Sequence, residues 1–285
     1  MTQANAAQAE FWASGSGTQW IVREALMDAL LSGVLTRILH HADLQQGEHV
    51  LDIGCGTGAS CLSAAGLVGP SGHVTGVDIA AQLLDRARIR AADAGLPNIA
   101  LQLADAQIHA FAPASVDVII SRFGVMFFED PVAAFANMAH ALKPGGRMVF
   151  AAWAPAVQVP WFSIPVGAAI ARLGKPAASD PNAPGPMAFQ DPDHVTKMME
   201  AAGLANVRSL SETVDLTPEG PLADVVAFAA RVGPAARILA EFSATDADAA
   251  AIEADVGRAL AVYDTGRGLR IPAGIHFYCA GGPNA

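Results

Sequence analysis

The spacing of hydrophobic positions changes along the chain, and the changes mark its elements. Over residues 18–41 the apolar positions recur at helical spacing behind Thr18, which the pattern places as an N-cap, so one long helix is expected there. The run His-Val-Leu-Asp-Ile-Gly at 49–54 is short, apolar and closed by glycine, as a buried parallel strand is. From there helix and strand patterns alternate. A helix is expected over about 58–68, a strand ending at Asp78, a helix over about 80–94, and strands ending at Asp105 and at Ser121. A further helix follows Pro131, and a strand, Arg147 to Trp153, follows the breaker Lys143-Pro-Gly-Gly146. Such alternation predicts an α/β fold of the doubly wound type, a mostly parallel sheet with helices on both faces.

The second half is less regular. Residues 154–190 are rich in Pro, Gly and Ala and read as a long connection or lid. A helix is expected over 194–204, ended by Gly203, and a strand over 206–216. Residues 221–263 read as helical with a break at Gly233-Pro234, and 269–279 returns to strand character. These helices leave self-association into a homo-oligomer open. No internal repeat is present. The expected organisation is a helical N-terminal cover over 1–44, a ligand-binding core over 45–153, and a region over 154–285 that adds the lid and completes the same sheet.

Composition narrows the function classes. At 285 residues the chain is long enough to bury a core without staples. Its three cysteines, Cys55, Cys61 and Cys279, form no CxxC pair, which argues against a disulfide framework or a standard structural zinc site and suits a reducing cytosol. Seventeen basic against 27 acidic residues give a formal net charge of −10, the wrong sign for a nucleic-acid partner. The first residues have no signal-peptide pattern, and the most apolar stretch, Met148–Leu173, is broken by Pro155, Pro160 and Pro165. A cytoplasmic protein with no stable membrane insertion is expected.

The chemistry concentrates in Val50–Gly58, where a glycine-rich turn joins a strand to a helix. Such a turn lets backbone approach a ligand closely, and the following helix N-terminus favours an anionic group. Gly54, Gly56 and Ala59 satisfy the dinucleotide fingerprint, with Asp78 at the distance that suits ribose hydroxyls. This alone does not separate NAD from other adenosine-containing ligands. Three features do. Asp52 lies two residues before the first glycine, where its charge would repel a pyrophosphate and attract an ammonium. Asp105-Ala106 closes the third strand, where a carboxylate would accept from an adenine amino group. Leu142-Lys-Pro-Gly-Gly146 leads into the fifth strand.

Taken in order, LDIGCGTG, GVD, ADA, SRFG and LKPGG resemble the class I S-adenosylmethionine-dependent methyltransferases, and within them the ubiquinone/menaquinone-biosynthesis type that acts on small molecules. The resemblance implies a Rossmann-like, seven-stranded, mostly parallel sheet whose two final strands form an antiparallel pair, with N-terminal helices folded over the cofactor. It implies S-adenosylmethionine as cofactor and S-adenosylhomocysteine as product. It also implies that Asp52, Gly54, Gly56, Thr57 and Gly58 surround the methionine part, that Asp78 binds the ribose with Ile79 flanking the adenine, that Asp105 and Ala106 contact the adenine, and that Ser121 ends the fourth strand beside the cofactor. The chain departs from the family pattern in two places. The loop after the third strand reads DAQIHAF where a leucine-proline pair is common, and Arg122 stands where many relatives carry an uncharged residue.

Methyl transfer from a sulfonium is an in-line displacement, so the acceptor atom must sit about 3–3.5 Å from the methyl carbon. The sulfonium loses its charge as the reaction proceeds, so a dry pocket does not oppose it. A general base is needed only where the acceptor must lose a proton. The candidates are His109 in the loop after the third strand and His276 with Tyr278 on one face of the last strand. The plainer readings are a solvated loop histidine for the first and satisfied core residues for the other two. Arg122 would pair with an acidic acceptor or form a structural ion pair. No metal is expected, since Asp191 and Asp193 flanking Pro192 read as a helix start.

Phe123, Met126, Phe127 and Phe128 follow the fourth strand, at the edge where open α/β sheets bind ligands. Trp153, Trp161, Phe162, Met187 and Phe189 bracket the proline-rich connection, and Trp20 lies on the N-terminal helix. An apolar cover of this kind suits a hydrophobic or aromatic acceptor such as a quinone, a phenol or a polyketide-like molecule, though the same residues would also serve simply to seal the core. The acceptor motifs of nucleic-acid methyltransferases are absent from the sequence. Two alternatives remain at this point: an NAD-dependent oxidoreductase on the same glycine loop, and a non-catalytic cofactor-binding partner subunit.

Overall fold

Seven short runs rich in Val, Ile and Leu become the strands of a single sheet. They are β1 (His49–Ile53), β2 (His73–Asp78), β3 (Ile99–Leu103), β4 (Val116–Arg122), β5 (Leu142–Trp153), β6 (Ala205–Leu216) and β7 (Ile271–Gly281) in a computed structural model that describes residues 4–178 and 180–282. The sheet order is β3-β2-β1-β4-β5-β7-β6, and β7 alone runs antiparallel to its neighbours. Central strands are buried on both faces, as Val50–Ile53 and Val118–Ser121 are, which is why they read as continuous apolar runs. Strand order reverses between β1 and β4, and that reversal opens a crevice at the carboxyl edge of the sheet.

Twelve helices pack around this sheet among the described residues: α1 (Ala6–Ala13), α2 (Gly15–Val22), α3 (Glu24–Leu30), α4 (Ser32–Ala42), α5 (Ala59–Val68), α6 (Ala81–Asp93), α7 (Pro131–Ala141), α8 (Pro160–Leu173), α9 (Pro192–Ala201), α10 (Leu222–Ala229), α11 (Gly233–Glu241) and α12 (Asp246–Leu260). None is long and apolar enough to cross a membrane.

The expected helix over 18–41 is bent rather than straight. It divides into α2, α3 and α4 at Arg23 and Leu31, where the single bonds Arg23 N–H to Gln19 C=O, Met27 N–H to Arg23 C=O and Leu31 N–H to Met27 C=O link the three segments. Thr18 lies inside α2 and is not a cap. The bends separate two tasks. α4 packs on β4, β5 and β6, whereas α2 packs on α6. Of residues 1–44, α4 therefore belongs to the helix layer of the sheet.

The proline-rich connection also differs from expectation, because α8 occupies its first half. Pro160 sits in the first turn, where no N–H is required, and Pro165 removes a single ladder bond one turn later. α8 packs with α10, α11 and α12 into a helical layer, so the helices of residues 221–263 cover α8. Their second break, at 242–245, is followed by a capping box between Thr245 and Asp248. Smaller shifts are that β3 ends at Leu103, two residues before Asp105, and that β4 continues to Arg122.

An aromatic cluster joins β5 and β7 to α7. Phe135 of α7, Phe150 of β5, Tyr278 of β7 and Phe189 are each at most 1% exposed, with the Phe150 and Tyr278 rings 4.9 Å apart. Truncating one such ring costs about 3–5 kcal/mol.

Candidate cofactor and acceptor site

The glycine loop between β1 and α5 is built from backbone that ordinary residues adopt poorly. Gly54, Gly56 and Gly58 have φ of +65°, +55° and +86°. A Cβ on Gly54 would lie 2.7 Å from the Cα of Gly124, so the loop after β1 and the loop after β4 touch through their main chains. Ser121 ties the same two loops together. Its hydroxyl donates to the Ile53 carbonyl at 2.7 Å and accepts from the Gly124 N–H at 3.1 Å.

Asp78 closes the loop from the side. Its carboxylate accepts from the N–H of Gly56 at 2.8 Å and of Ala80 at 2.9 Å, and burial raises its pKa against those bonds. Asp52 is fully buried at the end of β1, where its Oδ2 accepts from the Ser60 hydroxyl and from the Cys61 thiol at 3.2 Å. Its Oδ1 has no partner. Burial pushes Asp52 up to about 6, with Ser60, Cys61 and the Arg122 charge opposing. Thr57 is buried in the loop and accepts from Arg90 through its hydroxyl and its carbonyl. Ile79 is half-buried and Ala106 is buried, on either side of the β2–β3 edge.

One contributor escaped the sequence reading. Asn5, 2% exposed and just before α1, donates from Nδ2 to Asp105 Oδ1 at 2.8 Å and to Gln107 Oε1 at 3.1 Å, and accepts from the Glu129 N–H at 2.7 Å. Asp105 Oδ2 is buried without a partner. Behind Asn5, Trp12 packs edge-on against Trp20 and Phe127, with ring separations of 5.9 and 5.5 Å. Trp20 lies near Gly56, where an added Cβ would come within 3.9 Å of its indole nitrogen. α1 and α2 therefore span the crevice from the β3 loop to the β4 loop. No periodicity signals a single asparagine near the start of a chain.

The crevice wall beyond the β4 loop is aromatic. Phe123, with φ of +68°, stacks on Trp153 with ring centroids 4.2 Å apart, and Phe162 meets Trp153 edge-on at 4.9 Å. Trp161 is buried near Phe228, and the Arg23 guanidinium lies 5.2 Å from the centre of the Phe228 ring. Met126, buried beside these rings, accepts through its carbonyl from the Gly185 N–H and so ties down the connection after α8.

The other candidates are engaged elsewhere. His109 shares a 3.0 Å hydrogen bond with Gln102 on the outer edge of β3. His276 bonds Ser211 at 2.8 Å, and burial lowers its pKa. Tyr278 donates to the Phe189 carbonyl at 3.0 Å, and burial raises its pKa. Arg122 lies 3.5 Å from Asp28 of α3, in a chain of charges that continues through Arg90 and Glu24 to Arg86. No three His, Cys, Asp or Glu side chains among the described residues group as metal ligands.

A strand order reversed between β1 and β4, a three-glycine turn at that reversal and acidic side chains closing β1 and β2 define a Rossmann-like binding fold of the methyltransferase type. Comparison with known proteins agrees. A methyltransferase-domain profile matches residues 44–203, more than half of the chain. The nocamycin O-methyltransferase of Saccharothrix syringae is 34% identical over 191 residues, 64% of this chain and 68% of that protein. The aklanonic acid methyltransferase DauC of Streptomyces sp. strain C5 is 41% identical over 114 residues, which is 40% of this chain and 52% of the relative, so the chain matches only about half of that protein's length. Among solved structures, the YcgJ protein of Bacillus subtilis shares the fold with a TM-score of 0.57 at 17% identity, over 88% of this chain and 98% of its own. The chain belongs to the S-adenosylmethionine-dependent methyltransferase family.

Proposed function

We propose that the protein transfers a methyl group from S-adenosylmethionine to a small hydrophobic acceptor of quinone, phenol or polyketide-like character. One observation carries the reading: the glycine loop and the Phe123–Trp153 stack meet at the same edge through the Gly54–Gly124 contact. A polar cofactor cradle and an apolar acceptor wall are thereby held side by side. Relatives named for aklanonic acid and nocamycin support a small-molecule acceptor.

The side chains fit the cofactor. Asp52 Oδ1 and Asp105 Oδ2 are buried acceptors without partners, suited to an ammonium and an adenine amino group. In this reading Gly54, Gly56, Thr57 and Gly58 give backbone room to the methionine part, Asp78 takes the ribose hydroxyls, Ile79 and Ala106 flank the adenine, and Ser121 holds the loop in place. When bound, S-adenosylmethionine supplies an electrophilic methyl group on a sulfonium. The protein contributes orientation and dryness: Trp20 and Trp12 cover one side, while Trp153, Phe162 and Trp161 exclude water from the other. His109 and Tyr278 are given no part in proton transfer, since each is already hydrogen-bonded away from the stack.

Calorimetric titration with S-adenosylhomocysteine, with NADH as the comparison, tests the cofactor. Micromolar binding of the first and none of the second is expected. The reverse would hand the site to oxidoreductase chemistry. Turnover on a panel of phenols and quinols then tests the acceptor class, and a cofactor-binding protein inert on all of them would be a partner subunit.

A further inference from the structure

The sheet ends in two edge strands of unequal length. β3 has five residues, whereas β6 runs for 12, from Ala205 to Leu216, and pairs with β7 alone. A long edge strand leaves a row of backbone N–H and C=O groups to which another strand can add, and proteins that avoid this blunt the row with proline or lysine. β6 carries neither. Its one irregularity lies at its start, between Ala205 and Arg208, and from Arg208 to Leu216 its register against β7 is unbroken.

The charges on β6 are arranged in a self-complementary order. Arg208, Leu210 and Glu212 stand opposite Cys279, Phe277 and Ile275 of β7, so the three share one face of the sheet. Arg208 is exposed and Leu210 is 37% exposed. Glu212 is held by two side chains of α4, Arg37 Nε at 2.6 Å and His41 at 2.9 Å. A carboxylate accepts about four hydrogen bonds, so Glu212 keeps capacity for another donor. Beside it a groove of about 470 Å³ opens between α4 and β6, lined by Ser32, Thr36 and Thr213 among others. A second copy related by a twofold axis normal to the sheet would meet this edge antiparallel, with facing side chains on one side of the sheet. Centring that pair on Arg208 or on Glu212 sets like charges opposite each other, which is destabilising. Centring it on Leu210 sets leucine against leucine, Ser209 against Ser211, and Arg208 of each copy against Glu212 of the other.

We propose that β6 is the docking edge for a second copy of this chain, the two β6 strands pairing antiparallel about Leu210 to join two seven-stranded sheets into one. Arg208 of each copy then reaches the Glu212 carboxylate of the other at the mouth of the α4–β6 groove, and the two Leu210 side chains cover each other. The same patch serves both copies, so the assembly closes as a dimer and does not grow into a filament.

Sedimentation equilibrium of the full chain tests this. The wild type is expected to be a dimer at micromolar concentration. Arg208→Glu places carboxylates opposite each other at two points, and Leu210→Asp does so at the twofold axis. Each should weaken dimerisation on the order of tenfold or more and leave the circular dichroism spectrum as in the wild type. Glu212→Arg alone should also weaken it, whereas an equimolar mixture of Arg208→Glu with Glu212→Arg should recover the dimer, because every facing pair is then of opposite charge. A wild type that stays monomeric throughout the micromolar range overturns the assignment. So does a dimer that survives either Arg208→Glu or Leu210→Asp, or a mixture of folded variants that remains monomeric. Should Glu212→Arg not fold for want of its bonds to α4, the other two variants decide.

Discussion

The two halves of the crevice are held in place by different means. On the cofactor side, geometry is set by main chain: three left-handed glycines, the Gly54–Gly124 approach, and carboxylates bonded to backbone N–H groups. On the proposed acceptor side it is set by ring packing, with Phe123 after β4, Trp153 of β5 and Trp161 and Phe162 of α8. Backbone geometry tolerates few residue types, so the cofactor half is narrowly specified. A packed aromatic wall accepts many apolar substitutions of similar volume, so the acceptor half is free to diverge. A fold that keeps one ligand and changes the other can be assembled from these two kinds of surface.

The comparison breaks if the halves respond alike to substitution. The largest effect is expected for Trp153→Ala, which should lower stability by about 3–5 kcal/mol in urea denaturation while the folded fraction keeps its affinity for S-adenosylhomocysteine. Loss of that affinity would mean that ring packing also shapes the cofactor cradle.

Next in size is a pH effect at Asp52. Its pKa in the folded protein is raised from 3.8 to about 6, so the folded state holds the proton more tightly than the unfolded chain. The stability from this group is full below pH 3.8 and is lost as pH rises through about 6, an effect of about 3 kcal/mol. Denaturation of the ligand-free protein against Asp52→Asn at pH 4 and pH 7 should show wild type losing that much relative to the variant. A flat difference would show that the buried carboxylate is solvated by other means.

Asp78→Ala should weaken S-adenosylhomocysteine binding by about 1–3 kcal/mol through lost charge-assisted hydrogen bonds. Unchanged affinity in a folded variant would remove Asp78 from the ribose site. The smallest effect belongs to Asn5→Ala, expected to cost about 1 kcal/mol of cofactor affinity with acceptor KM unchanged. A larger effect on KM than on affinity would place the N-terminal cover on the acceptor side.

What the sequence conveyed follows the same division. Gly54, Gly56, Asp52 and Asp78 were legible because a sharp turn and a charged strand end each admit few residues, and the strands were legible because burial on both faces leaves only apolar side chains. Where the reading failed, the deciding force was tertiary. The bends at Arg23 and Leu31 keep single ladder bonds across each joint and carry no proline. α8 hides behind two prolines, Pro160 and Pro165, that its first turns tolerate. The Asn5 contacts join residues a hundred or more positions apart, and Arg122 gains its partner from a helix whose packing no local pattern announces.

The reversed strand has a consequence for how the molecule is made. β7 lies between β5 and β6, and β6 has no other neighbour in the sheet. During translation β6 emerges some 55 residues before the strand it pairs with, so the nascent chain carries an unpaired strand and an open β5 edge until Ile271–Gly281 leaves the ribosome. Long-range pairing of this kind is slow and prone to aggregation while it is pending. Helper proteins that shield strand edges during synthesis should therefore raise the yield of this protein, and chains truncated before Ile271 should be insoluble rather than shortened and soluble.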